Sequence, residues 1–457
     1  MVRFGRKQPG LLLKVPRCGW IPSQKMVFAM DTNSPVYSSL QELLVSKQVF
    51  KDKSVKIIKL ILKMEHTPSF AMPGIFVINR PRGFGLSIVG HAIEKLVSRA
   101  ITDDQINKLD DIALLDGVPR RKTYNIDFKH FKAKNINEFT QNLLEMLQDI
   151  FWKNHIESQF SQYETPKSYF TRLIKGLKKI GMDMAGSEDF QEMCFIIDNY
   201  DVPLQVASNF SDPLMVNEAT SIYLDMLNAL KYARDSIKWV LMTGHIKFSL
   251  ATEFSEGLPL AYDLSSDPDL STLFGFSKEE VGNIFKTEIE KYCENYGLTA
   301  NEYLDILDKC YGGFSFSDSL NKMICPASIY HVMNNNGQIF PYSAAGKYAF
   351  LQKVLSNSKE SLDWLYNKDG QDPVFSGFID TNGVKGKSIG TLLVQLGFAT
   401  RQKVLLNTAE SFTTWRYRFN FPNLEMKKTL NVIIGKEKPD VVTEEIDFSE
   451  IFEGEDE

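Results

Sequence analysis

The sequence predicts an α/β fold in which a parallel sheet is covered by helices on both faces. Three observations carry that expectation. Segments 74–80 (GIFVINR), 123–128 (TYNIDF), 192–198 (EMCFIID) and 237–244 (IKWVLMTG) are short and nearly continuous in apolar character, as strands buried on both faces are. Longer stretches with helical periodicity separate them. The strands run into polar or glycine-containing ends, and ligands bind at the carboxyl ends of the strands in sheets of this kind.

The first strand leads through 80-RPRGFGLS-87 into 88-IVGHAIEKLVSRA-100. There Val89, Ile93, Leu96, Val97 and Ala100 form one apolar helix face. Segments 137–152 and 219–235 repeat the same habit. After about residue 260 the pattern turns mostly helical, over 277–296, 300–313 and 344–358. Ser277 with Glu280 three residues on predicts a capping box, and Gly312-Gly313 a stop. A smaller unit follows, ending in 414-TWRYRFNFPNLEMKKTL-430, a strand and then a helix started by Pro422 and Asn423.

Composition narrows the function. With 457 residues, 43% hydrophobic and 24% charged, the chain can bury a large core in two or three domains. A net charge of -5 and a pI near 5.8 argue against a surface that is everywhere a sink for nucleic acid. No apolar run reaches the ~18 residues of a membrane span, so no membrane partner is expected. Cys18, Cys194, Cys293, Cys310 and Cys325 are widely separated and form no CxxC pair, which suggests neither a disulfide framework nor zinc and fits a reducing, cytoplasmic compartment. The six histidines are equally scattered and read as surface or hydrogen-bonded core residues.

The strand ends offer the chemistry. A glycine-containing turn between strand and helix presents backbone N–H groups and a helix N-terminus to an anion. Gly85 and Ser87 stand where the last part of GxxxxGK[ST] requires them, with Ser87 placed to ligate Mg2+. Arg80 replaces the first glycine of that pattern and Leu86 its lysine. In 194-CFIIDNYDVPL-204 four apolar residues end in Asp198, the form of a strand that hangs a carboxylate over a metal-bound phosphate. The fourth strand ends in Thr243, at the level of a sensor for the terminal phosphate. Arg80, Pro81, Arg82, Gly83, Phe84, Gly85, Leu86 and Ser87 are therefore the candidate nucleotide-binding residues, and Ser87 with Asp198 the candidate metal ligands.

These segments resemble the AAA-ATPase-like family, a P-loop ATPase group often fused to a C-terminal PD-(D/E)XK nuclease. The family's RPRRFGKS, IDEYDKPL and LTGVTKFS stand here as RPRGFGLS (80–87), IDNYDVPL (197–204) and MTGHIKFS (242–249). Segments 253–265, 309–317, 325–330 and 417–426 are similar to further family motifs, so the resemblance runs in order from about residue 40 to 430. It implies a P-loop NTPase-like sheet flanked by helices, then a helical lid and a small winged-helix-like domain. The expected divisions are a basic arm over 1–40, the ATPase-like domain over 41–260, the lid over 261–358, the winged-helix-like domain over 359–430 and an acidic, unfolded tail over 431–457.

The departures bear on function. Leu86 stands at the lysine that would bridge the β- and γ-phosphates, Asn199 at the glutamate that would orient the attacking water, and Gly83 at an arginine. Beyond Tyr417 the nuclease motif has only Pro439-Asp440 as a candidate, with no Glu-x-Lys following it before Glu457. Three readings follow. In the first the protein is a degenerate ATPase-like one, with no catalytic residue expected at the vestigial positions Leu86 and Asn199. It would bind ATP with Mg2+ weakly or not at all and act as a scaffold for a protein partner. In the second it is an active ATPase whose displaced lysine is Lys247 or Lys129. In the third it is a DNA-associated protein whose Lys403, Arg416, Arg418, Lys427 and Lys428 contact phosphates.

Overall fold

The computed structural model describes residues 53–68, 73–100, 112–155, 161, 164–185, 192–248, 261–317, 321–345, 348–358, 361–366, 389–409 and 412–437. The first unit runs α1 (Ser54–His66), β1 (Gly74–Asn79), α2 (Leu86–Ser98), β2 (Thr123–Asp127), α3 (Ile136–Lys153), α4 (Pro166–Ala185), β3 (Met193–Asp198), α5 (Val202–Ser208), α6 (Pro213–Asn228), β4 (Ile237–Gly244) and β5 (Ala261–Asp263). Five strands form one parallel sheet in the order β2-β3-β4-β1-β5. The fold is α/β and of the P-loop NTPase-like kind.

The order positions the site. The connection from β1 leads away to β2, and the chain then returns through β3 to insert β4 beside β1. The carboxyl ends of β1, β4 and β3 consequently lie side by side in the interior of the sheet, where Thr243 is in register with Ile78 on one side and Asp198 on the other. Every residue of β1 and β3 is buried, which explains their unbroken apolar sequences. At the opposite, amino edge, Glu65 of α1 pairs with Arg121 at 2.9 Å and accepts from Trp239 Nε1 at 2.8 Å.

The helical region runs α7 (Lys278–Ile284), α8 (Lys286–Tyr296), α9 (Ala300–Tyr311), α10 (Pro326–Asn334), α11 (Ala349–Ser356) and α12 (Asp363–Tyr366). Ser277 and Glu280 close the expected capping box on α7, and Gly312 follows the last residue of α9. The single helix expected over 277–296 is two, broken at Phe285, whose ring packs edge-on against Phe276 and Tyr330. Most buried apolar residues from 276 to 339 form a core cluster of their own, while Phe314, Met323 and Cys325 join the core of the sheet.

Then come α13 (Ile389–Gln395), the antiparallel hairpin of β6 (Thr400–Ala409) and β7 (Phe412–Asn420), and α14 (Leu424–Ile433). Asn423 caps α14, its side chain accepting from Met426 N. A helix, a hairpin and a helix do not by themselves establish the winged-helix arrangement expected here. Leu392, Leu393, Phe398 and Leu430 join the same apolar core as the sheet. Helix α14 extends three residues into the stretch assigned to the tail. The arm over 1–40, the rest of the tail beyond 437 and the Pro439-Asp440 pair lie outside the described residues. Among the described residues no helix is long and apolar enough to cross a membrane.

Candidate functional site

The loop between β1 and α2 owes its course to two glycines in the left-handed region, Gly83 at φ 85° and Gly85 at φ 82°. Gly85 is the residue before the helix, and its carbonyl accepts the helical bond from Val89 N at 3.0 Å. A side chain at Gly85 would meet nothing within 4 Å, so only its backbone angle calls for glycine. At Gly83 space is limiting too, because a Cβ there would lie 2.9 Å from both Ala327 Cβ and Cys325 Sγ.

Beyond this loop, Ser87, Asp198 and Thr243 meet. Asp198 Oδ1 accepts from Thr243 Oγ1 at 2.5 Å and from its neighbour's backbone, Asn199 N, at 2.9 Å. The Ser87 hydroxyl faces the same carboxyl and favours its charged form. The convergence expected from the sequence is thus present. Burial pushes the Asp198 carboxyl above the usual carboxylate range; Ser87 and the hydrogen bond from Thr243 oppose that rise, and the charge of Asp127 adds to it. A hydroxyl and a carboxylate are the hard oxygen donors that suit Mg2+. Among the described residues no group of three or more His, Cys, Asp or Glu side chains could hold a metal unaided, so an ion here would draw on phosphate oxygens and water.

The two replaced positions sit in the same locus. Leu86 is the first residue of α2 and is 6% exposed, an aliphatic side chain buried where the family motif has a cation. Asn199 adopts a left-handed backbone (φ 54°) and turns its amide sideways, donating from Nδ2 to Asp127 Oδ1 at 2.8 Å.

Of the remaining loop residues, Arg80, Pro81 and Phe84 are packed elsewhere. The Arg80 guanidinium is buried, 4.4 Å from the centre of the Phe316 ring and 4.9 Å from that of Phe274, and its Nη1 donates to Asn79 O and Ser265 O. Burial lowers it to about 9, against the opposing pull of Asp263 and Asp267. Its side chain is a strut between β1 and the turn after β5, rather than an exposed phosphate contact. Pro81 packs on Gly397, and the backbone carbonyl of exposed Arg82 faces Cys325 Sγ. Phe84 is buried edge-on against Phe314 and Phe316.

Of the two candidate lysines, Lys247 is committed to an ion pair and Lys129 is exposed. Lys247 is 8% exposed and its Nζ lies 2.6 Å from Asp263 Oδ2, an ion pair that also pulls the Asp263 carboxyl down against the effect of its burial. Lys129 is exposed, and its backbone N–H donates to Asp127 Oδ1. Of the candidate DNA contacts, Lys403, Arg416 and Arg418 lie on the hairpin with side chains outside the described residues, and Lys427 and Lys428 lie on α14.

Two acidic residues beside the candidate site were not singled out in the sequence. Asp201 is fully buried, and its Oδ2 accepts from His245 N, Ile246 N and Gln205 Nε2, which fixes the turn after Thr243. His245 Nδ1 then lies 2.9 Å from Arg80 O, tying that turn to the start of the loop. Asp127 ends β2 in register with Asp198. The second acid of IDNYD was a visible signal for Asp201, whereas nothing but strand register could have found Asp127.

Comparison with known proteins agrees with this arrangement. Residues 38–254 match the profile of a family, AAA-ATPase-like, whose description reads "Predicted AAA-ATPase". A protein of Azotobacter chroococcum mcd 1, described as an uncharacterized protein in the vnfD 5' region, is 24% identical over 242 residues, 53% of this chain and 42% of that protein. The chain thus spans less than half the length of that relative. With its loop at the end of β1, its acidic strand and its strand order, the segment 38–254 is an AAA-ATPase-like domain.

Proposed function

We propose that this protein is a nucleotide-binding member of its family with little capacity for hydrolysis, acting through its surfaces on a protein partner in a reducing, cytoplasmic compartment. The observation that carries the reading is the split within one locus. Ser87, Asp198 and Thr243 are assembled, while Leu86 and Asn199 supply neither a cation nor a carboxylate. In phosphoryl transfer the protein's contribution is almost wholly positioning and electrostatic stabilisation. Losing one preorganised donor of transition-state charge costs about 3 kcal/mol, roughly a hundredfold in rate. Loss of the water-orienting carboxylate removes a further factor.

The backbone N–H groups of 83–87 and the start of α2 would cradle the polyphosphate. Ser87 and Asp198 would hold Mg2+, which when bound supplies positive charge beside the phosphates. Thr243 would meet the terminal phosphate. Leu86 leaves the phosphates without a bridging cation, so affinity rests on the backbone and on the ion.

Thermal melting of the full chain with and without ATP and Mg2+ tests this, since a ligand of the native state raises apparent stability by mass action. The expected result is a rise in melting temperature that needs both components, with slow phosphate release. Turnover at a rate typical of P-loop ATPases, abolished by Lys247→Ala or Lys129→Ala, would replace this reading with that of the displaced lysine.

A further inference from the structure

Asp127 takes no part in the reading above, yet its carboxylate accepts a hydrogen bond from the side chain that stands at the vacated glutamate position. It ends β2 directly in register with Asp198 on the adjacent parallel strand, which sets the two backbones ~5 Å apart. It is exposed. Two donors fix one of its oxygens: Asn199 Nδ2 and the Lys129 backbone N–H both reach Oδ1 at 2.8 Å. Among the described residues nothing donates to its Oδ2. Asn199 holds this contact from a left-handed backbone, a conformation that asparagine tolerates better than most residues. The residue that has replaced the glutamate therefore positions another carboxylate.

We propose that Asp127 is the residue that orients the attacking water in this site, with Asn199 as its positioning residue. The proposal rests on the reading that loop 80–87 takes a nucleoside triphosphate. The free oxygen of Asp127 accepts a hydrogen bond from a water at the γ-phosphate. The water oxygen bonds to the γ-phosphorus and the bond from that phosphorus to the β,γ-bridging oxygen breaks, its electron pair leaving with the nucleoside diphosphate. The water's proton passes to the Asp127 carboxylate and from there to solvent. An aspartate on the neighbouring strand reaches less far than a glutamate beside Asp198, so the route is slow, and residual hydrolysis runs through it.

Three full-length proteins decide the matter: wild type, Asp127→Asn, and Asp127→Asn combined with Asn199→Glu. For each, the affinity for a fluorescent ATP analogue with Mg2+, single-turnover phosphate release, and the affinity for ADP with and without aluminium fluoride are measured. Asparagine keeps the shape and the Oδ1 acceptor, so ATP affinity should stay within about twofold. Phosphate release should fall at least tenfold, at or below the low end of what a positioned base contributes, and the preference for ADP with aluminium fluoride over ADP alone should vanish. Adding Asn199→Glu should restore both, because a carboxylate again faces the water; a merely structural loss at position 127 would not be rescued in this way. Wild type that binds ATP while Asp127→Asn releases phosphate equally fast overturns the proposal alone, as does failure of the rescue. Wild type that binds no ATP overturns the nucleotide reading and this proposal with it.

Discussion

Replacing Gly83 by alanine tests how the loop between β1 and α2 is held. The loop is pressed against the start of α10, where Ala327 N donates to Gly83 O at 3.3 Å and a new Cβ would stand 2.9 Å from Ala327 Cβ and from Cys325 Sγ. Two effects add. A non-glycine residue at φ 85° costs about 1–2 kcal/mol, and forcing a methyl into a packed contact costs about 1–3 kcal/mol. Gly83→Ala should therefore destabilise by roughly 2–5 kcal/mol. Gly85→Ala has the same backbone problem at φ 82° but open space around it, so it should lose only the first part, about 1–2 kcal/mol. Urea melts followed by circular dichroism give both values. Ala327→Gly in the Gly83→Ala background should recover part of the difference and leave Gly85→Ala unaffected. Equal losses at 83 and 85, or no coupling to Ala327, would refute the clamp.

Further outcomes follow from buried acids. Glu425 on α14 is buried, accepts from Ser328 Oγ and Ser343 N, and is pushed up to about 7 by its burial, which those hydrogen bonds only partly offset. Its native form therefore holds a proton that the unfolded chain releases near pH 4.5, so this group's contribution to stability declines as pH rises from about 4.5 to about 7 and is constant above; Glu425→Gln should flatten that slope in melts across the range. Asp201→Ala should unseat the turn at 245–246, costing about 1–3 kcal/mol for the unsatisfied buried N–H groups, and should weaken ATP binding; unchanged binding would mean that the turn is not part of the site.

Much of the fold was legible because burial on both faces writes itself into composition. β1, β2, β3 and β4 begin or end within a residue or two of their apolar segments, and the caps at Ser277 and Asn423 could be read from residue type alone. The three-residue β5 is too short to show a period, and α1 was passed over beside the weakly patterned residues before it. The convergence of Ser87, Asp198 and Thr243 was legible because strand ends of one parallel sheet share an edge. Arg80 was not: its burial depends on Phe274 and Phe316, some two hundred residues along the chain. Lys247 reads as a free loop lysine until Asp263 is brought beside it by β5. Asp127 needed the pairing of β2 with β3, and strand register cannot be read from either strand alone.

The central claim is that the site keeps its metal-binding side and lacks the two groups that speed hydrolysis. Steady-state phosphate release at saturating ATP and Mg2+, for wild type, Leu86→Lys, Asn199→Glu and the double variant, tests it most directly. The lysine neutralises the phosphate and the glutamate serves the water, and residues that act as a unit are non-additive. The account predicts slow release by wild type, little gain from either single change, and a gain in the double variant larger than the two singles combined. A double variant that neither binds ATP nor releases phosphate faster than wild type would contradict it.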